Sequence, residues 1–182
     1  MIALDKNPPV TFPPDLRFGE STHTWWVAQT RSRHEKALAF DLIMWEIPFF
    51  LPMVERTHCV GRRRFRALLP LFPGYLFFSG DGDAQWHALA TKHVVNTISV
   101  IDQQRLVDEL TQIESALAAR TPMDPYPYLK EGRLCQVRSG ALRGIRGRVI
   151  RRCGVTRLVL QVDMLGQAVA TEIDPALVEP ID

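Results

Sequence analysis

The side chains of this chain that stand out by type and spacing are arranged to grip a surface, not to break bonds. Four arginines occupy five positions in Arg62-Arg63-Arg64-Phe65-Arg66. Like charges at that density must be solvated or bound by anions. Guanidinium groups pair with phosphate and stack on splayed bases, so the run reads as a nucleic-acid contact, with a solvated hairpin tip as the plainer alternative. Directly after it comes Pro70-Leu71-Phe72-Pro73-Gly74-Tyr75-Leu76-Phe77-Phe78, aromatic rings around a Pro-Gly turn that leads into an apolar segment. Exposed apolar surface is unfavourable by about 25 cal/mol per Å², so these rings must be covered by the core or by a partner. Catalysis lacks its parts: the sequence has no Cys-x-x-Cys, His-Glu-x-x-His, P-loop or Gly-x-Ser-x-Gly pattern. His58 and Cys59 are adjacent, but neighbours on a strand point to opposite faces. The expectation is a protein that is not an enzyme and needs neither cofactor nor metal.

Periodicity supplies the elements that must hold these residues. Residues 1–21, with Pro8-Pro9 and Pro13-Pro14, read as a flexible arm. Residues 23–30, centred on Trp25-Trp26, read as a buried strand. Over 33–45, Leu38, Leu42 and Trp45 recur at helical spacing, and Pro48 ends that helix. A strand is predicted over 51–59, a loop or hairpin tip over 62–66 and a central strand over 68–78. Gly80-Asp81-Gly82-Asp83 breaks that strand ahead of a short helix over 84–91. A β-branched strand over 94–101 and a helix over 104–120 with Leu106, Leu110, Ile113 and Leu117 on one face complete the pattern. The order β-α-β-β-α-β plus a helix predicts an α+β fold, a ferredoxin-like or RNA-recognition-type α/β sandwich over 22–120. Three prolines in 122–127 predict a stiff linker over 121–130. Short glycine-punctuated strands over 134–138, 148–152, 157–162 and 168–173 then predict a small SH3-like β-barrel over 131–182.

Composition restricts the function classes. The 182 residues carry a net charge of +2, so affinity for nucleic acid must come from local arginine clusters and not from the overall field. No apolar run reaches the roughly 18–20 residues of a membrane span, and residues 1–5 lack a signal-peptide core. Cys59, Cys135 and Cys153 are odd in number and far apart, which favours a reducing, cytoplasmic setting without disulfides.

The segment Gly132-Arg133-Leu134-Cys135-Gln136-Val137-Arg138 followed by Ser139-Gly140-Ala141-Leu142-Arg143-Gly144-Ile145-Arg146-Gly147-Arg148-Val149 resembles a KOW motif, with its glycine before the second strand. Together with Trp25-Trp26-Val27, Glu35, Pro48, Pro52, the arginine run and Leu71-Phe72-Pro73-Gly74-Tyr75-Leu76-Phe77, it resembles the NusG/RfaH family of transcription elongation factors over residues 22–182. The resemblance implies an N-terminal NGN domain and a C-terminal KOW domain.

It also implies partners. Trp26, Phe72, Pro73, Gly74 and Tyr75 stand where the family docks on the clamp helices of the largest RNA polymerase subunit, while Trp25 and Phe77 read as core. Arg31, Arg33, His34, Arg62, Arg63, Arg64 and Arg66 would meet the non-template DNA strand or upstream duplex. His87 stands near a gate-loop contact, though Ala88 and Leu89 replace the polar residues that accompany it in the family. Leu142, Arg143, Ile145 and Arg146 stand where a small-subunit ribosomal protein or the Rho termination factor binds, with Leu142 and Ile145 equally readable as core. The implied function is a monomeric factor that suppresses pausing and promotes processive elongation or antitermination. The alternatives are an RNA- or ribosome-binding KOW protein without a polymerase role, and a Rho-coupled termination factor.

Overall fold

The computed structural model describes residues 6–20, 24–60, 63–126 and 132–181. It divides into two compact units, 1–103 and 104–182.

In the first unit, β1 (Thr11–Phe12) precedes β2 (Thr24–Thr30), α1 (Glu35–Met44), β3 (Phe49–Phe50), β4 (Met53–Val60), β5 (Arg63–Pro70), β6 (Tyr75–Gly80), α2 (Gly82–Ala90) and β7 (Val94–Ser99). The main sheet has the order β1-β3-β6-β2-β7, antiparallel throughout. Without the edge strand β1, this is the strand order of a ferredoxin-like sandwich, with β4 and β5 inserted as a separate hairpin. Cross-strand partners share a face, which sorts the side chains. Ala28, Leu76, Phe78 and Phe49 lie on the face covered by Leu38, Ala39 and Leu42 of α1 and by Ala84 and Ala88 of α2. The opposite face carries Trp25, Val27, Phe50 and Phe77, all buried. There the rings of Phe18 and Trp25 lie 5.4 Å apart, and those of Phe18 and Phe50 4.9 Å apart, both edge-on.

Two sequence expectations are corrected in this unit, and a choice between two others is decided. Residues 11–20 are not a free arm: Thr11 and Phe12 pair with Phe50 and Phe49, and Phe18 is buried against Trp25. Prolines mask this in the sequence, yet an edge strand tolerates them. Of the two readings of the basic run, the hairpin fits and the loop does not, since residues 63–66 begin β5 in an antiparallel ladder with the end of β4, Val60 opposite Arg63. Finally, 68–78 is not one strand, because the chain leaves β5 at Pro70 and re-enters the sheet at Tyr75.

The helix α3 (Gln103–Ala118) starts at the division between the units, and its buried face is Leu106, Leu110, Ile113 and Ala116. In the first unit, the Gln103 side-chain amide accepts from the Trp25 N–H at 2.8 Å and donates to the Trp25 carbonyl at 3.0 Å. It thereby extends the pairing of β2 past the last residue of β7.

The second unit adds β8 (Asp124–Tyr126), β9 (Arg133–Val137), β10 (Arg146–Arg152), β11 (Val155–Val162), β12 (Gln167–Glu172) and β13 (Val178–Pro180) in the order β13-β9-β10-β11-β12-β8. This is the expected small antiparallel β-domain of KOW-like fold. Asp124–Tyr126, expected within the linker, instead pairs with β12 as an edge strand, and Met123 beside it is buried. Glycine at 147 has a steric cause: a Cβ there would stand 2.7 Å from the Val159 carbonyl oxygen and 3.0 Å from Leu158 and Leu160 side-chain carbons. Gly147→Ala is expected to destabilise the second unit by roughly 1–3 kcal/mol through overpacking, read as a lower urea midpoint.

Candidate functional site

The Pro-Gly turn is built by its own residues. Phe72, Pro73, Gly74 and Tyr75 close a four-residue turn in which the Tyr75 N–H donates to the Phe72 carbonyl at 3.1 Å. Gly74 has φ +86, and a proline followed by a left-handed glycine is the signature of a type II turn. Two further hydrogen bonds fasten it. The Gly74 N–H donates to Oε1 of Glu35 in the first turn of α1 at 2.7 Å, and the Gly74 carbonyl accepts from the Thr30 N–H at 2.8 Å. Glu35 is buried, and a buried carboxylate is tolerated only where hydrogen bonds replace its lost water.

The turn delivers the five expected docking residues to different places. Pro73 is exposed, and Gly74 and Tyr75 are half-buried. Phe72 is 1% exposed and lies edge-on to Phe77, ring centroids 6.1 Å apart. Its ring therefore belongs to the core, and its assignment to an open docking face is corrected. Trp26 is corrected as well. It pairs with Phe78 on the helix-covered face, packs against that core and donates from Nε1 to the Gly80 carbonyl at 3.2 Å. Tyr75 pairs with Gln29 on the opposite face, so Trp26 and Tyr75 cannot meet one partner surface on the same side of the sheet.

Two residues the sequence reading missed join Tyr75. Gln29 is its direct cross-strand partner, and Asn96 of β7 is the partner of Gln29 on the other side. Both are exposed. The alternation Trp25, Val27, Gln29 carries a signal for Gln29, whereas Asn96 needs the β2–β7 register. Tyr75, Gln29 and Asn96 thus form a short row across three strands, with Pro73 at the turn beside it.

The cationic residues fall in two groups. Arg31 and Arg33 are exposed on the turn between β2 and α1, and Arg33 adopts φ +64. His34 stands at the N-cap of α1, its Nδ1 2.8 Å from Nδ1 of His93, and Nε2 of His93 lies 3.3 Å from Asp41. On the hairpin, Arg64 and Arg66 are exposed and share a face with Leu68, which packs on the helix-side core. Lys36 holds that hairpin to α1 through a 2.5 Å bond to the Leu68 carbonyl, and burial pushes its pKa down while Glu35 opposes the shift. Arg66 pairs with Glu55 at 3.3 Å, both well exposed, a contact worth little in stability. Arg62 and the side chain of Arg63 lie outside the described residues.

His87 lies between two tryptophans of the α1–α2 surface, 4.7 Å from the Trp45 ring and 5.2 Å from the Trp86 ring. In the second unit, Leu142 and Ile145 are 7% and 4% exposed. They plug the β9–β10 loop, which is tied by Gly144 N–H to Val137 carbonyl and Val137 N–H to Ile145 carbonyl bonds. Of the two readings open for them, core is the one found, and of the four residues expected to meet a partner there only Arg143 and Arg146 are exposed. The Arg146 N–H donates to the Gln112 side chain of α3 at 2.8 Å. Cys135 and Cys153 are both free thiols, and among the described residues no group of three or more His, Cys, Asp or Glu is placed to hold a metal. Among the described residues, too, no helix is long and apolar enough to cross a membrane.

A ferredoxin-like sandwich with an inserted hairpin, followed by a KOW-like β-domain, defines a two-unit α+β protein. The sequence model described as transcription termination factor nusG matches residues 23–118, more than half of the chain. The chain belongs to the NusG family of transcription factors, a family of regulators and not of enzymes. A solved structure titled "Domain interaction in Thermotoga maritima NusG" aligns over 88% of this chain and 98% of that one, at 16% identity and a TM-score of 0.44. Among curated proteins, none matches the chain.

The placement of Phe72 and Tyr75 separates core from surface. Phe72→Ala is expected to lower stability by about 3–5 kcal/mol and Tyr75→Ala by less than about 1 kcal/mol, measured as urea unfolding of the two variants side by side.

Proposed function

We propose that this chain is a transcription elongation factor that binds RNA polymerase through the Tyr75 face of its first unit. The observation that carries this reading is the rigid turn that presents Tyr75 beside Gln29 and Asn96, on a chain of the NusG family. Tyrosine supplies a large contact area with little rotamer entropy, and the fixed turn removes the ordering cost of a loop. The partner is the clamp-helix region of the largest subunit, and Phe72 supports the face from beneath while Gly74 shapes it. Arg31, Arg33, His34, Arg64 and Arg66 would then face the non-template strand or upstream duplex, where exposed guanidinium groups neutralise phosphate.

The action follows from differential affinity. A ligand that prefers the active, closed polymerase raises its population in proportion to that preference, which suppresses pausing and favours antitermination. In the second unit, Arg143, Arg146, Arg151 and Arg152 are exposed and suit emerging RNA, a small-subunit ribosomal protein or Rho. The factor acts as a cytoplasmic monomer.

Affinity capture of polymerase by the full chain tests the docking face. Tyr75→Ala and Gln29→Ala should each weaken capture, Tyr75→Ala by at least about tenfold as expected of an interface hot spot, while Trp26→Phe leaves it unchanged. Run-off transcription over a pausing template, with and without Rho, gives the sign of action. Capture undiminished in the Tyr75→Ala/Gln29→Ala double variant would sink the assignment.

A further inference from the structure

Among the described residues, the sheet edges other than β7 are short, charged or broken by proline. β1 is two residues long and runs into Pro13-Pro14, β8 is centred on Pro125, and β13 ends at Pro180. The β4–β5 hairpin carries Glu55, Arg56, Arg64 and Arg66 along its strands. Such features keep unpaired backbone from templating another strand. β7 lacks them. It closes the main sheet with Val94-Val95-Asn96-Thr97-Ile98-Ser99, none of them charged and none proline. Val95, Asn96 and Ser99 are exposed, Val95 at 62%.

The hydrogen bonds of β2 fix which backbone groups of β7 point outward. Gln103, just past β7, holds both the N–H and the carbonyl of Trp25, while the Thr30 N–H turns the other way to Gly74. Trp25, Val27 and Gln29 therefore turn their backbone groups toward β7, where Ile98 and Asn96 lie opposite the last two. Successive residues of an antiparallel strand turn these groups to opposite edges, so those of Thr97 and Ser99 point away from β2. Val95 falls at a register shift and has no partner on β2, the unpaired residue of a bulge.

We propose that β7 is a pairing edge for a second copy of this chain, the two strands running antiparallel about a twofold axis at Thr97. This register sets Thr97 opposite Thr97 and Val95 opposite Ser99, so outward groups meet outward groups along the strand. Charge fits the same register. Lys92 and Asp102 are both exposed and stand five residues to either side of Thr97. The axis brings the Lys92 end of each copy to the Asp102 end of the other, a self-complementary placement that favours a second copy over a strand of another protein. The interface is narrow, which makes the pair a weak one. Ile98 of the second copy falls beside Asn96, on the face that carries Gln29 and Tyr75. The pair thus withholds that end of the docking row, and the chain on polymerase is the monomer. The pairing itself does not rest on the polymerase reading.

Sedimentation of the full chain over a range of concentrations tests the pairing, with amide hydrogen exchange by NMR as a second readout. A monomer–dimer equilibrium is expected. Protection of the Thr97 and Ser99 N–H groups should rise with concentration, while Asn96 and Ile98 are protected throughout. Thr97→Pro removes an outward N–H, a change an edge strand tolerates, and Val95→Lys puts a charge on the edge. Each should raise the dimer dissociation constant by at least about tenfold, Val95→Lys without changing the urea midpoint of the dilute chain. Lys92→Glu should weaken the pair most at low salt. A chain that stays monomeric at every concentration overturns the inference. So does a dimer that Val95→Lys and Thr97→Pro leave intact, or one whose Thr97 and Ser99 amides exchange as fast as in the monomer. These measurements are made without polymerase, so their failure leaves the docking proposal standing, and undiminished capture by the Tyr75 variants leaves the pairing standing.

Discussion

The hydrogen bond from the Gly74 N–H to the buried Glu35 carboxylate fixes α1 to the turn that enters a sheet on which the helix already packs. It ties the turn entering β6 to the first turn of α1, while the Thr30 N–H to Gly74 carbonyl bond ties the same glycine to the end of β2. From this junction the chain leaves in two directions. Toward β6 it presents Tyr75 on the side of the sheet away from α1 and α2, and toward α1 it presents Arg31, Arg33 and His34. Tyr75 and the cationic turn are thus linked through one glycine and one carboxylate, on top of the β2–β6 pairing. Burial is what makes the bond effective, since a carboxylate without water holds strongly to the donor it has.

Strand parity governs the rest. Trp25 and Trp26 are consecutive and chemically alike, yet one packs with Phe18 and the other against the helix-side core. The same alternation separates Arg64 and Arg66 from Phe65 along β5. A docking face can collect only every second residue of each strand, so its members come from neighbouring strands and not from a run of sequence. That is why Gln29 and Asn96 accompany Tyr75, and why Trp26 does not.

The expectations that held and those that failed divide on the same ground. Helices with three or four apolar residues on one face were legible, because their period is local. The order of strands in the first unit followed from connection rules. Thr11–Phe12 and Asp124–Tyr126 were read as arm and linker because prolines dominate them, but an edge strand needs only one side of its backbone paired. The charge of the arginine run allows a loop or a hairpin tip, and the two-stranded ladder accommodates it because Arg64, Phe65 and Arg66 are all exposed there.

What the sequence determined by itself is the set of local conformations: the Pro73-Gly74 turn and the helical period of α1 and α3. It also carries the NusG family pattern in the Leu71–Phe77 segment and the glycine-rich segment over 132–149. Only the tertiary structure decided which rings are core and which are surface. Phe72 and Tyr75 stand three residues apart in one turn, and nothing in their types says that the first packs on Phe77 while the second stays partly open. Leu142 and Ile145 read equally well as patch or plug until the loop closes over them. The reason is that burial is a property of what lies across a gap, and the residues across these gaps are brought there by pairing between distant segments of the chain.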